Sequence, residues 1–228
     1  MTDLPLLLTT LSVWIIPLLL AITMHEAAHG WVAWKLGDDT AKMQGRVTFN
    51  PTAHIDPFGT VLLPLILLMT KTPFLFGYAK PVPVNFSRLN NPKTDMVWVA
   101  LAGPGANVLL ALLGGLLLNL YIVVPDMMAD WYRDNLINLV RINAILAVFN
   151  MLPIPPLDGG RVAVGLLPRN LAMPLARIEP YGMWILLGLI FLLPMITASL
   201  GLNFNLLFAI IRPPAEFIAS LAQALIFI

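Results

Sequence analysis

Long runs without charged residues dominate the chain and predict helices that cross a membrane. Residues 4–24 contain no charged side chain, and Glu26 alone interrupts the apolar run before Lys35. As a helix, residues 4–24 span roughly 32 Å, which matches the hydrocarbon core of one bilayer. Comparable runs, broken only by Arg141 or by proline and glycine, occupy residues 96–125, 135–152 and 181–211. The tail at residues 213–228 is predicted to lie in the membrane interface or to form a partial span.

Two stretches between these runs follow a different pattern. Residues 35–56 are polar with a β-prone piece at 46–49, and residues 71–95 are broken by prolines and include an extended piece at 81–86. Between them, residues 57–70 are apolar but reach only about 21 Å as a helix, which predicts a re-entrant or partly inserted segment. The expected fold is a mostly α-helical polytopic membrane protein, with about five to six membrane segments and a small membrane-edge β element.

The composition supports a membrane protein and excludes other classes. Hydrophobic residues make up 59% of the chain and charged residues 11%, with a mean hydropathy of +0.85, whereas soluble domains contain about 25% charged residues. A net charge of +1 without runs of basic residues predicts no nucleic-acid binding. We expect one membrane-embedded domain over residues 1–228, with a core at about 5–165 and C-terminal membrane segments at about 181–228.

The motif HEAAH at residues 25–29 lies near the end of the first predicted helix. Four helical residues advance about 400°, so His25 and His29 lie about 40° apart and roughly 6 Å apart along the axis. This spacing allows two imidazoles to bind one zinc ion. Glu26 lies beside them and can accept a proton from the water that the metal activates. Because ionisable residues within a span are rarely without function, a chance match is disfavoured.

A catalytic zinc ion needs a third protein ligand, which must be nitrogen or oxygen because the chain has no cysteine. His54 is the only other histidine, but it lies in a polar loop where it can simply bond the neighbouring turn. Asp158 follows the prolines of PIPP and precedes two glycines, where burying an uncompensated carboxylate would cost several kcal/mol. The residues alone leave both candidates open, with one zinc ion expected per chain.

Three motifs together resemble the site-2 proteases, which are intramembrane zinc metalloproteases. They are HEAAH, AGPGAN at residues 102–107 and NMLPIPPLDGG at residues 150–160, in the family's order over about residues 20–165. The loops GRVTFNPTAHIDPFGT and GYAKPVPVN also resemble those of compact prokaryotic members without a PDZ domain. The resemblance covers most of the predicted core, and its motifs are specific.

The resemblance implies a reaction and the residues that perform it. It implies a zinc ion held by His25, His29 and Asp158. Glu26 is the implied general base, and Asp158 is favoured over His54 as the third ligand. The implied substrates are single-span membrane proteins, cut within or next to the membrane segment. Unlike larger members, this sequence shows no extra helix before the HEAAH helix and no PDZ or nucleotide-sensing domain.

Three residues outside the implied catalytic set, Asn107, Asn150 and His54, are candidates for contact with substrate or oxyanion. An amide in a dry site can bond a tetrahedral oxyanion or orient substrate, but amides also join membrane helices, and both interpretations of the asparagines remain open. A functional role near the metal and a loop hydrogen bond remain equally open for His54. Arg141 is predicted to snorkel or to pair with Asp134.

The distribution of basic residues predicts the orientation in the membrane. Most of the 13 Lys and Arg residues lie in residues 35–95 and 161–177, which the positive-inside rule places in the cytoplasm. The acidic turn at 126–134 then faces outward. We therefore expect a multi-pass protein of the cell membrane, inner or plasma, embedded in the lipid bilayer with its active site opening toward the cytoplasm.

Two other function classes compete with a protease. An ion-conducting transporter would use the same His and Asp residues as an ion path, but the sequence shows no inverted repeat. An inactive pseudo-protease scaffold would have no need of Glu26. Proteolysis itself requires the substrate helix to open, because helical carbonyls are tied into backbone hydrogen bonds. The pieces at 46–49 and 81–86 are predicted edges to which an opened segment adds as a strand.

Overall fold

The computed structural model describes residues 4–69, 77–202 and 205–227, which fold mainly into helices. The α-helices are α1 (Leu4–Lys35), α2 (Thr40–Met43), α3 (Leu63–Met69), α4 (Pro92–Leu117), α5 (Asp126–Asn150), α6 (Asp158–Leu166), α7 (Arg169–Arg177), α8 (Gly182–Leu187), α9 (Leu193–Ser199) and α10 (Leu206–Gln223). π-Helical turns occupy Pro57–Leu62 and Gly188–Leu192, and short 3-10 helices occupy Pro51–Ala53, Phe86–Arg88, Leu118–Val123 and Glu179–Tyr181. The prediction of a mostly helical protein is confirmed.

Four helical segments of the described chain are long and apolar enough to cross a membrane. They are Leu8–Lys35, Pro92–Val123, Arg169–Ser199 and Leu206–Gln223. The predicted five to six segments are not confirmed, because α5 is long but carries several charged residues and the helical stretch ending at Met69 is short. The end of the predicted segment 57–70 and the start of the predicted loop 71–95 lie outside the described residues, as do residues 203, 204 and 228 of the C-terminal part.

The centre of the protein is formed by α1, α4 and α5, which pack against one another. Small residues allow the close approach, and Ala21 and Ala111 expose no surface. α10 packs against α4 and α5, and its backbone at Ala222 lies so close to Gly115 that a side chain at position 115 would clash. Large apolar side chains such as Trp184, which is 74% exposed, lie on the outside, as expected of a surface that faces lipid.

The described residues contain no β-strand, so the predicted membrane-edge β element is not confirmed. Residues 46–49 form bends, and residues 77–85, called the strap below, run without a partner strand. A side chain bonds the strap where a strand would: Arg46 Nη2 donates to the carbonyls of Lys80, at 2.7 Å, and Pro81, at 3.3 Å. Pro81 also lacks the N–H that a ladder requires.

Hydrogen bonds tie the strap to the residues just beyond α1 and to the loop after α2. Asp38, which is fully buried just beyond α1, accepts a hydrogen bond from the N–H of Asn85 at 2.6 Å. Nearer its start, the N–H of Lys80 donates to the carbonyl of His54 at 3.0 Å. Within the piece 81–86, the N–H of Asn85 is engaged and Pro81 and Pro83 have none, which reduces the donors left for the strand addition predicted from the sequence.

Candidate metal centre

The two histidines of HEAAH meet on one face of α1. Their Nε2 atoms lie 3.0 Å apart and their ring centroids 4.6 Å apart, with the rings nearly perpendicular. His25 is 7% exposed and His29 8% exposed, so both imidazoles are largely removed from solvent. The helical spacing that motivated the zinc prediction therefore brings both rings to a single point in the protein interior.

Asp158 reaches the two imidazoles from the first residue of α6. Its Oδ2 lies 3.2 Å from His25 Nε2 and 3.3 Å from His29 Nε2, and the residue is 6% exposed. The proline-rich turn before α6 folds tightly over Gly159 and Gly160, where a side chain would collide with the backbone of Met151 and of Pro155 respectively. The two glycines therefore let the turn carry the Asp158 carboxylate into the site.

The Nδ1 atoms of both histidines are held on the far side of the rings. His29 Nδ1 donates to the backbone carbonyl of Val99 in α4 at 2.7 Å. His25 Nδ1 lies 2.6 Å from the side-chain oxygen Oδ1 of Asn107, also in α4. Because a carbonyl oxygen accepts and cannot donate, each Nδ1 carries the hydrogen, and each ring in its neutral form presents a lone pair at Nε2.

Three electron-pair donors thus converge on one point, which is the arrangement that suits a metal ion. The buried Oδ2 of Asp158 has no hydrogen-bond donor among the described residues. Two lone-pair nitrogens and a carboxylate oxygen within 3.3 Å of one another repel unless a metal cation or a proton lies between them. Imidazole nitrogen and carboxylate oxygen are zinc ligands, and three protein ligands leave a fourth position open. In the described part of the chain, His25, His29 and Asp158 form the one such cluster.

The AGPGAN motif of α4 packs directly against the two imidazoles. Gly103 lies so close to them that an added Cβ would fall 2.6 Å from His25 Nε2 and nearer still to His29 Nε2. Gly105, two residues later, has open space where a Cβ would be. The first glycine of the motif therefore leaves room for the rings, and Asn107, one helical turn later, bonds one of them.

A cavity of about 410 Å³ opens in front of the three converging side chains. Besides those residues it is lined by Glu26, strap residues and side chains of α5, α6 and α8, among them Ala79, Val82, Val84, Phe149, Asn150, Arg161 and Met183. Glu26 Oε2 accepts a hydrogen bond from the N–H of Val82 at 2.8 Å. The strap therefore holds one oxygen of this carboxylate and forms one wall of the cavity.

His54 does not join the metal cluster. The side chain is 1% exposed, and its Nε2 donates to the carbonyl of Thr48 at 3.1 Å, while its own carbonyl accepts from Lys80. It joins the loop after α2 to the strap, which corresponds to the loop hydrogen-bond interpretation. The alternative of His54 as third ligand has no geometric support among the described residues.

Asn107 and Asn150 occupy different places. Asn107 is fully buried behind His25; its Nδ2 donates to the carbonyl of Ala21 at 3.2 Å and to Asn143 Oδ1 at 2.7 Å. Both amide hydrogens and the side-chain oxygen are engaged, which favours the helix-joining interpretation of Asn107 over the oxyanion interpretation. Asn150 lines the cavity and donates to Leu146 in its own helix at 3.0 Å.

Other contacts of the site were not anticipated from the sequence. Asn143 is fully buried and bonds Asn107; its one signal is that it lies seven residues, or about two turns, before Asn150 on the same helix. The Val82 N–H is 56 residues from Glu26, and no local pattern connects them. The predicted pair of Arg141 with Asp134 does not form, because Asp134 bonds the neighbouring Arg133 instead, at 3.1 Å.

Comparison with known proteins shows that the chain is similar to zinc metalloproteases. A family model described as Peptidase family M50 matches residues 122–195. A Bacillus subtilis protein named "Putative zinc metalloprotease YwhC" is 39% identical over 210 residues, which cover 87% of this chain and 92% of that protein. Proteins named "Putative zinc metalloprotease Rip2" are 29% identical, over 143 residues in Mycolicibacterium smegmatis and 141 in Mycobacterium tuberculosis. Those matches cover 62% of this chain and 52% of either relative. No solved structure gives a significant match.

Proposed function

The chain belongs to peptidase family M50, the site-2 protease family, and on that premise we propose that it is an intramembrane zinc endopeptidase. Membership makes it a membrane-embedded zinc metallopeptidase. The finer proposal is that residues 1–228 act as one domain that hydrolyses peptide bonds within or next to transmembrane segments of single-span membrane proteins. The apolar surface of the helices makes the lipid bilayer its surroundings.

One zinc ion per chain is proposed to bind His25, His29 and Asp158. The observation that carries this proposal is the convergence of two Nε2 lone pairs and the unpaired Oδ2 within 3.3 Å of one another. When bound, zinc acidifies water and polarises the scissile carbonyl. The hydrogen bonds from Nδ1 to Asn107 and to the Val99 carbonyl keep both imidazoles in the tautomer that a metal requires.

Glu26 is proposed as the general base. Its carboxylate lines the same cavity as the three ligands and is adjacent in sequence to His25. With Oε2 held by the Val82 N–H, the other oxygen is available to take the proton from the attacking water and pass it to the leaving amine. The strap hydrogen bond thereby orients the base toward the cavity.

The cavity is proposed to receive the substrate as an extended segment. At about 410 Å³ it accommodates a few side chains rather than an intact helix of about 10–12 Å diameter. A substrate span must therefore open, and glycine or proline makes opening easier by about 1 or 3 kcal/mol relative to alanine. Replacing such residues in a cleaved span by leucine should slow cleavage. Equal rates for an all-leucine span would exclude helix opening as the limiting step.

The catalytic end is proposed to face the cytoplasm, because most basic residues lie in the loops at that end. Cysteine labelling tests the orientation without background, since the native chain has no cysteine. A cysteine replacing Asp130 should react with an impermeant thiol reagent added outside intact cells, and a cysteine replacing Arg88 should not. The reverse pattern would place the catalytic end on the outer face.

Zinc content and proteolysis of purified protein test the proposed reaction. The wild-type chain in detergent should contain one zinc ion and cleave at least one of a panel of single-span proteins within or beside the span. Glu26→Gln should retain the zinc and lose cleavage, because the amide preserves shape but cannot accept the proton. A purified Glu26→Gln variant with wild-type turnover would refute the general-base mechanism.

A further inference from the structure

We propose that Asn143 in α5 is a positioning residue of the metal centre, which acts through Asn107 on the ligand His25. The inference extends the proposed function, because it assumes that His25 binds the metal. Asn143 touches neither the cavity nor the histidine. Its effect passes along a line of hydrogen bonds from α5 through α4 to α1, in which each bond determines the direction of the next.

The line of hydrogen bonds begins at the backbone carbonyl oxygen of Leu139, which can only accept. Asn143 Nδ2 donates to the backbone carbonyl of Leu139 at 2.8 Å, which is possible only with the nitrogen of the amide on that side. The oxygen Oδ1 of Asn143 must therefore face Asn107. Because an oxygen faces it at 2.7 Å, Asn107 must present its nitrogen there, and the same Nδ2 also donates to the carbonyl of Ala21 at 3.2 Å.

The orientation of Asn107 then determines the tautomer of His25. With its nitrogen turned toward Asn143 and Ala21, Asn107 presents its oxygen to His25 Nδ1 at 2.6 Å. An oxygen at that position requires hydrogen on Nδ1 and leaves the lone pair on Nε2, the atom that points at Asp158. If Asn107 turned over, its oxygen would face two other acceptors and its nitrogen would favour the tautomer that cannot bind metal through Nε2.

Burial makes Asn143 necessary for this selection. Asn107 and Asn143 both expose no surface, so water does not replace a missing partner. Without the oxygen of Asn143, the carbonyl of Ala21 alone would oppose the reversed amide, through a longer bond. His29 has no such dependence, because its Nδ1 bonds the backbone carbonyl of Val99, which cannot turn over.

A matched pair of variants separates this role from ordinary helix packing. Asn138 lies five positions before Asn143 on α5, is also buried, and donates from Nδ2 to the carbonyl of Val13 in α1 at 2.9 Å. Position 13 lies about 18 Å along α1 from His25, so this bond joins α5 to α1 remotely from the metal centre. Asn138→Leu and Asn143→Leu each remove one buried amide of the same helix.

The first measurement is metal affinity, read without proteolysis. Apo protein in detergent is titrated with Zn²⁺ against a competing chelator and with Co²⁺, whose visible absorption reports the ligand geometry. Asn143→Leu should weaken zinc binding about 10–100-fold and alter the cobalt spectrum, whereas Asn138→Leu should bind both metals as wild type does. Asn143→Ala gives the same comparison if the leucine variant does not fold. Equal affinities in both variants would overturn the proposal.

The second measurement is the histidine tautomer in apo protein. The ¹⁵N shifts of the three histidines distinguish Nδ1–H from Nε2–H, and His54, which donates through Nε2 to Thr48, serves as an internal reference of the opposite tautomer. His25 should be Nδ1–H in wild type and in Asn138→Leu, and a mixture of tautomers in the Asn143 variant. An unchanged His25 in that variant would overturn the proposal.

The role of Asn143 can be tested independently of proteolysis. Wild-type protein that binds zinc but cleaves no substrate would refute the proposed function, and the two measurements would still decide the role of Asn143.

Discussion

The back and the front of the candidate metal centre differ in how their polar groups are satisfied. At the back, where α1, α4 and α5 meet, Asn107 and Asn143 are fully buried and bonded to fixed partners. At the front, Glu26 and Asn150 line an open cavity, each with part of its side chain free for another partner. The hydrogen bonds at the back hold the proposed metal ligands in one geometry, whereas the free polar groups at the front can contact a molecule that enters the cavity.

This difference predicts separate effects of substitutions at the back and at the front. Changes at the back should alter metal affinity, and turnover only as its consequence. Changes at the front should alter turnover and leave the metal bound. The two asparagines of the sequence motifs differ in this respect, because Asn107 lies at the back and Asn150 at the front.

The largest effect is expected for Asp158, the proposed ligand that joins the back and the front. Asp158→Ala should lose both stoichiometric zinc and activity, because the two imidazoles alone leave the metal short of its third protein ligand. His54→Ala should keep the zinc, since His54 bonds Thr48 and is absent from the cluster. Metal analysis of both purified variants decides the assignment. Full zinc in the first and none in the second would reverse it.

Gly103→Ala tests how closely α4 packs against the two imidazoles. The new methyl group would overlap the His25 and His29 rings and displace them, so zinc affinity should fall at least about 10-fold, with a loss of stability of about 1–3 kcal/mol. Gly105→Ala in the same motif has open space and should behave as wild type. Chelator competition and thermal denaturation measure both. Wild-type affinity in Gly103→Ala would contradict the described approach of α4 to the rings.

Val82→Pro tests the front. Proline removes the N–H that Glu26 Oε2 accepts, and a hydrogen bond to a charged group contributes about 1.5–3 kcal/mol, so kcat should fall about 10–100-fold with zinc retained. Val84→Pro is the matched control, because Val84 lines the same cavity but its N–H has no hydrogen bond among the described residues. Equal losses in both variants would show that strap shape, rather than the bond to Glu26, matters.

The smallest effect is expected for Asn150→Ala. Its Nδ2 is engaged with the Leu146 carbonyl, so the loss in kcat should be about 10-fold or less, below the 10²–10³ of a dedicated oxyanion donor. Asn135→Ala removes the same kind of bond, to the carbonyl of Trp131, away from the cavity, and should leave kcat unchanged. A fall in zinc content in Asn150→Ala would move this residue from the front to the back.

Local patterns in the sequence were sufficient to predict the class of protein and to bring together the two histidines of the candidate metal centre. Apolar runs longer than a bilayer's thickness predict membrane helices whatever their neighbours, because backbone groups in lipid must be bonded within the segment. The meeting of His25 and His29 follows from the 3.6-residue period of one helix. The motifs also led to the family, which the comparisons confirm.

The remaining features depend on contacts between residues far apart in the chain, which only the tertiary structure decides. The choice between Asp158 and His54 turned on whether the turn before α6 or the loop after α2 meets α1 at the histidines. The position of Asn107 at the back depends on its hydrogen bond to the carbonyl of Ala21 in α1, which is 86 residues away in the sequence. The predicted strand at 46–49 is absent because a side chain, not a strand, bonds the strap. Periodicity describes one element at a time, whereas burial and hydrogen-bond direction arise only where several elements meet.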